Sequence, residues 1–238
     1  MRESQEKAMR EIVEVVSTLS KALKGYDYAF FKLVKPVSYV PADVDLLVNV
    51  DQTRKAAKRI MELGYRSIVR GPYCITLTRG NSIVDLYTQP SVGGIIFIDG
   101  QRLLNHMRIT EFSEIEVKTL EPYAEALIVA SHSIYKEQIY TLNDYFTVKK
   151  WATGRSFKLV EELSCRPALE LSIKLNRLIE DGVLETPYKL PPSIWLTIMM
   201  HKLREDQLAR STLINVWKMM RDPRIGRLLI SRLTRRTY

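Results

Sequence analysis

Hydrophobic and polar residues follow two different periods along the first part of the chain. Apolar side chains recur every three or four positions between residues 3 and 24, which predicts an amphipathic helix that ends at Gly25. A second helix is expected over residues 53–63, with Asp51 as its N-cap and Gly64 after its last turn. Gly80 and Asn81 predict a two-residue hairpin turn. Short apolar runs predict strands at residues 26–34, 43–50, 65–69, 73–79 and 82–88.

Helical periodicity dominates after residue 121. Residues 122–151 predict two helices, and a final helix is expected to start at Asp222 and Pro223. Further helices are predicted over residues 158–181, 192–203 and 206–221. The chain therefore predicts an α+β fold, with a mixed β-sheet flanked by helices in residues 1–115 and a helical region in residues 116–238.

Composition excludes several classes of protein. The chain has 238 residues, of which 46% are hydrophobic and 26% are charged, as in globular proteins. Its two cysteines, Cys74 and Cys165, are too few for a disulfide framework or a zinc site. Because the sequence shows neither a signal-peptide pattern nor an apolar run of about 18 residues, we expect a cytoplasmic protein that does not bind a membrane.

Positive charge is concentrated in the last third of the chain. The net charge is +9; residues 1–150 carry 20 basic and 18 acidic side chains, or +2, and residues 151–238 carry 16 and 9, or +7. An anionic partner and a well-solvated basic surface explain this excess equally well. We expect Arg232, Arg235 and Arg236 to bind a polyanion such as RNA, with an affinity that falls as salt rises.

Three aspartates carry the candidate chemistry. Asp43 and Asp45 are two residues apart on one predicted strand, so their carboxylates face the same side. Asp85 lies inside an apolar strand, where a carboxylate is costly to bury unless it is paired or binds a metal. If the two strands are neighbours, the three carboxylates form a site for Mg²⁺ or Mn²⁺. Such ions can assist an in-line phosphoryl displacement.

The context of these aspartates resembles the polymerase-beta-like nucleotidyltransferase superfamily. Within it, the chain is most similar to a poorly characterised prokaryotic group, over roughly residues 20–150. The similarity is carried by Lys32-Leu33, by DVDLLV at residues 43–48, by LGY at residues 63–65 and by VDL at residues 84–86, with His132 and Asp144 at familiar positions downstream. The resemblance implies a magnesium-dependent enzyme that moves a nucleoside monophosphate from an NTP to a hydroxyl acceptor. That acceptor is a protein side chain, an RNA 3′ end or a small molecule.

The chain departs from the superfamily at one motif. A Gly-Ser or Gly-Gly pair usually follows the first strand and holds the nucleotide phosphates, but residues 31–35 contain neither glycine nor serine. Lys32 and Lys35 are the expected substitutes for phosphate binding, with Ser38 as a hydroxyl donor. The sequence leaves two functions open, and it does not indicate the oligomeric state. One is an active nucleotidyltransferase. The other is an inactive relative that binds nucleic acid or a partner protein, for example in a toxin–antitoxin or defence pair.

Overall fold

A computed structural model describes residues 2–220 of the chain. The predicted last helix, which starts at Asp222, lies outside the described residues, as do Arg232, Arg235 and Arg236. Their expected binding of a polyanion therefore stays a prediction. Among the helices in residues 2–220, none combines the length and the apolar character needed to cross a membrane.

The N-terminal part of the protein is built around a mixed β-sheet. Its elements in chain order are α1 Arg2–Ala22, β1 Tyr28–Phe31, β2 Val44–Val48, α2 Thr53–Glu62, β3 Arg66–Arg70, β4 Cys74–Arg79, β5 Ser82–Tyr87, β6 Ser91–Val92, β7 Ile95–Ile96, α3 Gly100–Leu104, β8 Met107–Phe112 and β9 Ile115–Leu120. Seven of these strands form one sheet in the order β3-β4-β5-β2-β1-β9-β8. Strand β2 is central, antiparallel to β1 and parallel to β5.

The C-terminal part is mainly helical, as the periodicity predicts. Its elements are α4 Pro122–Ser131, a π-helical segment His132–Glu137, β10 Ile139–Tyr140, α5 Leu142–Trp151, α6 Gly154–Glu162, α7 Arg166–Glu180, β11 Tyr188–Lys189, α8 Pro192–Glu205, α9 Gln207–Ser211 and α10 Leu213–Met220. The predicted α+β class is confirmed by this arrangement of sheet and helices.

The central strands of the sheet are buried on both faces, which explains their continuous apolar runs. All five residues of β2 are buried. Phe30 and Leu46 face the core formed with α1 and α2. Ala29 and Leu47 face a second core that continues into the C-terminal helices. Successive side chains point to opposite faces of a strand, so the same strands join both cores.

Three details of the secondary structure differ from the sequence predictions. Asp51 is not an N-cap, because it lies inside a 3₁₀ turn whose N-cap is Asn49, and the Asp51 amide donates to Asn49 Oδ1 at 3.0 Å. Strands β8 and β9 were not predicted, although both belong to the seven-stranded sheet. The helical stretch over residues 158–181 is divided into α6 and α7, because Ser164 has a positive φ of 50°.

The missed β8–β9 hairpin has a physical reason. Its turn is made by Ser113 and Glu114, with φ values of 48° and 67°. Asn-Gly and Asp-Gly are the sequence pairs that usually indicate such a turn. The Ser113-Glu114 pair does not match these sequence patterns, so the hairpin was not predicted from the sequence.

Gly100 is expected to be sterically essential where α3 packs against β2. A Cβ atom added there would lie 2.8 Å from Leu47 Cδ1 and 2.9 Å from the Thr88 carbonyl oxygen. We expect Gly100→Ala to lower the free energy of unfolding by about 1–3 kcal/mol, as measured by urea denaturation. The matched control is Gly154→Ala, where a Cβ meets nothing within 4 Å. An equal loss of stability in both variants would contradict the steric explanation.

Candidate metal centre

The structure brings the three sequence-predicted aspartates together. Asp45 and Asp85 are direct register partners on the neighbouring parallel strands β2 and β5. Asp43 immediately precedes β2, two residues before Asp45, and so lies on the same side of the chain. One carboxylate oxygen from each of the three residues lies within 4.8 Å of the others. We call these three residues the carboxylate cluster.

Asp45 offers an unused ligand atom at the centre of this cluster. The residue is 4% exposed, and its Oδ2 atom lies 2.5 Å from the Lys32 ammonium nitrogen. Its Oδ1 atom is buried and has no hydrogen-bond partner among the described residues. A buried acceptor without a donor costs about 1–3 kcal/mol. The donor set and this unpartnered oxygen fit a divalent cation that prefers oxygen ligands, such as Mg²⁺ or Mn²⁺.

Asp85 is oriented by neighbouring hydroxyl groups. Thr76 lies opposite Asp85 on the neighbouring strand β4. Its Oγ1 atom donates a hydrogen bond to Asp85 Oδ1 at 2.6 Å. The Tyr87 hydroxyl donates to Asp85 Oδ2 at 3.3 Å, and the Lys136 ammonium donates to the Tyr87 oxygen at 3.0 Å. Such partners fix the orientation of a carboxylate that is to bind a metal.

Burial, together with the crowding of the carboxylates, raises the pKa of Asp43. Burial, followed by the nearby charges of Asp45 and Asp85, raises the pKa of Asp43 to about 6, although the Lys32 ammonium opposes the change. Burial and like charges both disfavour the ionised form of a carboxylate. A bound cation would favour that form, so metal binding and ionisation of Asp43 are expected to promote one another.

The predicted phosphate-binding residues have different surroundings. Lys32 directly follows β1, and its ammonium is held at Asp45. Lys35 has a side chain that is only 5% exposed, and it pairs with Glu125 Oε1 at 3.3 Å. Ser38 is exposed in the loop between β1 and β2, and residues 32–43 contain no helix. The structure therefore gives Lys35 a protein partner, and phosphate binding by all three residues stays a prediction.

Several residues near the site were not among the candidates from the sequence. Glu125, His132 and Lys136 lie on α4 and the π-helical segment, and His132 Nε2 is 3.3 Å from the Lys32 nitrogen. Glu125 could have been recognised, because it is an acid inside the apolar run of α4, as Asp85 is in β5. His132 was noted in the sequence only for its position in the resemblance, and no sequence pattern indicated that a π-helical turn places it beside Lys32.

Comparisons with known proteins give no family for this chain. No family model matches it, and no curated protein does. Among solved structures, it is similar to a lincosamide antibiotic adenylyltransferase with bound lincomycin, at 16% identity over 62% of this chain and 98% of the other, with a TM-score of 0.39. It is also similar to an antigenic nucleotidyltransferase-like protein from Paracoccidioides brasiliensis, at 15% identity over 91% of each chain, with a TM-score of 0.33. Likenesses of this strength settle neither family nor substrate.

The pKa of Asp43 predicts how stability depends on pH in the absence of metal. Its folded value of about 6 exceeds the ordinary value of 3.8, so the folded state binds more protons than the unfolded state between these two values. Stability should therefore fall as the pH rises through this window. We expect Asp43→Asn to remove this fall and to exceed the wild type in stability at pH 7.

The measurement is urea unfolding in EDTA at several pH values between about 4 and 7. Asp51→Asn is the matched control, because Asp51 is an exposed aspartate outside the cluster. The difference between wild type and Asp43→Asn should grow with pH, whereas the control should show no such trend. If the difference in stability between the wild type and Asp43→Asn is the same at every pH, the raised pKa of Asp43 is contradicted.

Proposed function

We propose that the protein is a cytoplasmic, divalent-metal-dependent nucleotidyltransferase that moves a nucleoside monophosphate from an NTP to a hydroxyl acceptor. The observation that carries this proposal is the carboxylate cluster with its unpartnered, buried Asp45 Oδ1. The sequence resemblance supports the same chemistry through DVDLLV at residues 43–48 and VDL at residues 84–86. Geometry and sequence thus point to the same three residues.

Each aspartate has a proposed role. Asp43 and Asp45 hold Mg²⁺ or Mn²⁺, and Asp85 completes the site on the side of the acceptor. When bound, the metal neutralises triphosphate charge and activates the acceptor hydroxyl. Asp85, oriented by Thr76 and Tyr87, takes the proton of that hydroxyl. The acceptor oxygen forms a bond to the α-phosphorus of the NTP. The bond between that phosphorus and the oxygen that bridges it to the β-phosphorus breaks, and pyrophosphate leaves.

The loop after β1 is the proposed phosphate-binding element. Lys32 and Ser38 supply an ammonium and a hydroxyl group in place of the absent Gly-Ser pair. Lys35 is held by Glu125, so we assign it an indirect part, in which the buried pair fixes the position of this loop. The acceptor is an RNA, a protein or a small molecule, and an RNA acceptor would suit the basic C-terminal end of the chain.

A second candidate function is supported by one observation. The loop between β1 and β2 lacks the usual Gly-Ser pair, and residues 32–43 contain no helix N-terminus whose backbone amides could hold a triphosphate. An inactive nucleotidyltransferase-like protein that binds nucleic acid or a partner protein, as in a toxin–antitoxin or defence pair, would need no such amides.

Metal binding and nucleotide transfer should depend together on Asp45. At a Mn²⁺ concentration about a hundredfold above Kd, we expect the melting temperature to rise by about 5 °C or more. With an α-labelled NTP and candidate acceptors, we expect the label to be transferred and pyrophosphate to be released. Asp45→Asn should remove both effects while the protein remains folded, because it removes one of the three metal ligands.

Asp181→Asn serves as the control, since Asp181 is an exposed residue after the end of α7. It should keep both the metal response and the transfer activity. A metal response without any transfer would favour the inactive binding protein. No response of the wild type to Mn²⁺, even at tens of millimolar, would contradict the metal centre itself.

A further inference from the structure

The carboxylate cluster already contains a positive charge from the protein itself. Lys32 Nζ lies 2.5 Å from Asp45 Oδ2, and the two side chains are 18% and 3% exposed. Burial alone would lower the pKa of Lys32, but the charges of Asp45 and Asp43 hold that pKa above its ordinary value. The ammonium is therefore charged at neutral pH and partly neutralises three crowded carboxylates.

The backbone fixes Lys32 in this place. Lys32 has a φ of 57°, which is a conformation that residues other than glycine rarely adopt. Its amide donates a hydrogen bond to Glu125 Oε1 at 2.7 Å. The same carboxylate oxygen binds the Lys35 ammonium. Glu125 on α4 thus holds the start of the loop so that the Lys32 side chain reaches Asp45.

We propose that Lys32 is the resident cation of the carboxylate cluster, and that a divalent metal, which has the free Asp45 Oδ1 to bind, displaces the ammonium from Asp45 Oδ2 by charge repulsion. This inference rests on the proposed function, because it concerns how the same cluster takes up its metal. The displaced ammonium would then be available to a nucleotide phosphate, which is the role predicted for Lys32 from the sequence. The cluster would hold either the Lys32 ammonium or the metal ion, but not both at once.

The proposal predicts opposite effects of one substitution on two states of the protein. Without metal, the Lys32 ammonium offsets repulsion among three carboxylates, so its loss should destabilise the fold. With metal, the same ammonium competes for Asp45 and repels the ion, so its loss should strengthen metal binding. A lysine that only packs in the site would affect stability without strengthening metal binding.

The test is a Mn²⁺ titration followed by electron paramagnetic resonance of the unbound ion. Lys32→Met keeps the length of the side chain but removes the charge, and we expect its Kd for Mn²⁺ to fall by about tenfold or more. Lys32→Arg keeps the charge and should bind Mn²⁺ as the wild type does. Lys149→Met is the matched control, because the Lys149 ammonium pairs with Glu180 at 3.0 Å, outside the carboxylate cluster; its Kd should equal that of the wild type.

A second measurement is independent of metal. In EDTA, Lys32→Met should unfold at a lower urea concentration than the wild type. In an Asp45→Asn background the same substitution should have a smaller effect, because the pair is already broken. If Lys32→Met does not fold, Lys32→Gly provides the uncharged variant, because glycine adopts a positive φ readily.

The outcomes separate this inference from the proposed function. Equal Mn²⁺ affinities in wild type and Lys32→Met, or weaker binding in the variant, would overturn the resident-cation role and leave the metal centre standing. Absence of Mn²⁺ binding in both proteins would overturn both proposals. Tighter binding in Lys32→Met, with a lower stability in EDTA, is the result that supports the inference.

Discussion

Electrostatic repulsion among three carboxylates is the constraint around which this part of the molecule is organised. Asp43, Asp45 and Asp85 have oxygens within 4.8 Å of one another, and Asp45 is almost fully buried. The parallel pairing of β2 and β5 forces Asp45 and Asp85 side by side. Such an arrangement is stable only if protons, hydrogen-bond donors or cations offset the charge. Donors and a lysine from several surrounding elements supply part of that compensation.

Residues of the helical region also hold the loop that carries Lys32. Glu125 on α4 binds both the Lys32 amide and the Lys35 ammonium, and Lys150 on α5 donates to the Pro36 carbonyl oxygen of the same loop. Burial raises the pKa of Glu125, and the Lys35 ammonium opposes that change. One hydrophobic core also joins the sheet to the C-terminal helices. The position of the β1–β2 loop therefore depends on helices far away in the sequence.

Local signals in the sequence were sufficient to single out the three aspartates, whereas their meeting depends on the parallel pairing of β2 with β5, which the sequence left open. Strand parity places Asp43 and Asp45 on one side, and apolar neighbours mark Asp85 as an acid that needs a partner. The contact between Lys32 and Asp45 was not predictable in the same way. It depends on the antiparallel register that sets Phe31 opposite Asp45, and on Glu125 holding the next amide. The register between distant strands, and ion pairs between residues far apart in the chain, cannot be predicted from any short stretch of sequence.

The most direct test of the metal centre is X-ray diffraction at the manganese absorption edge, from crystals grown with Mn²⁺ and a non-hydrolysable NTP analogue. We predict an anomalous peak at about 2.0–2.5 Å from carboxylate oxygens of Asp43, Asp45 and Asp85. We also predict that the Lys32 ammonium no longer contacts Asp45 in those crystals. A cluster without any peak at saturating Mn²⁺, with Lys32 still bound to Asp45, would contradict the assignment of these aspartates as metal ligands.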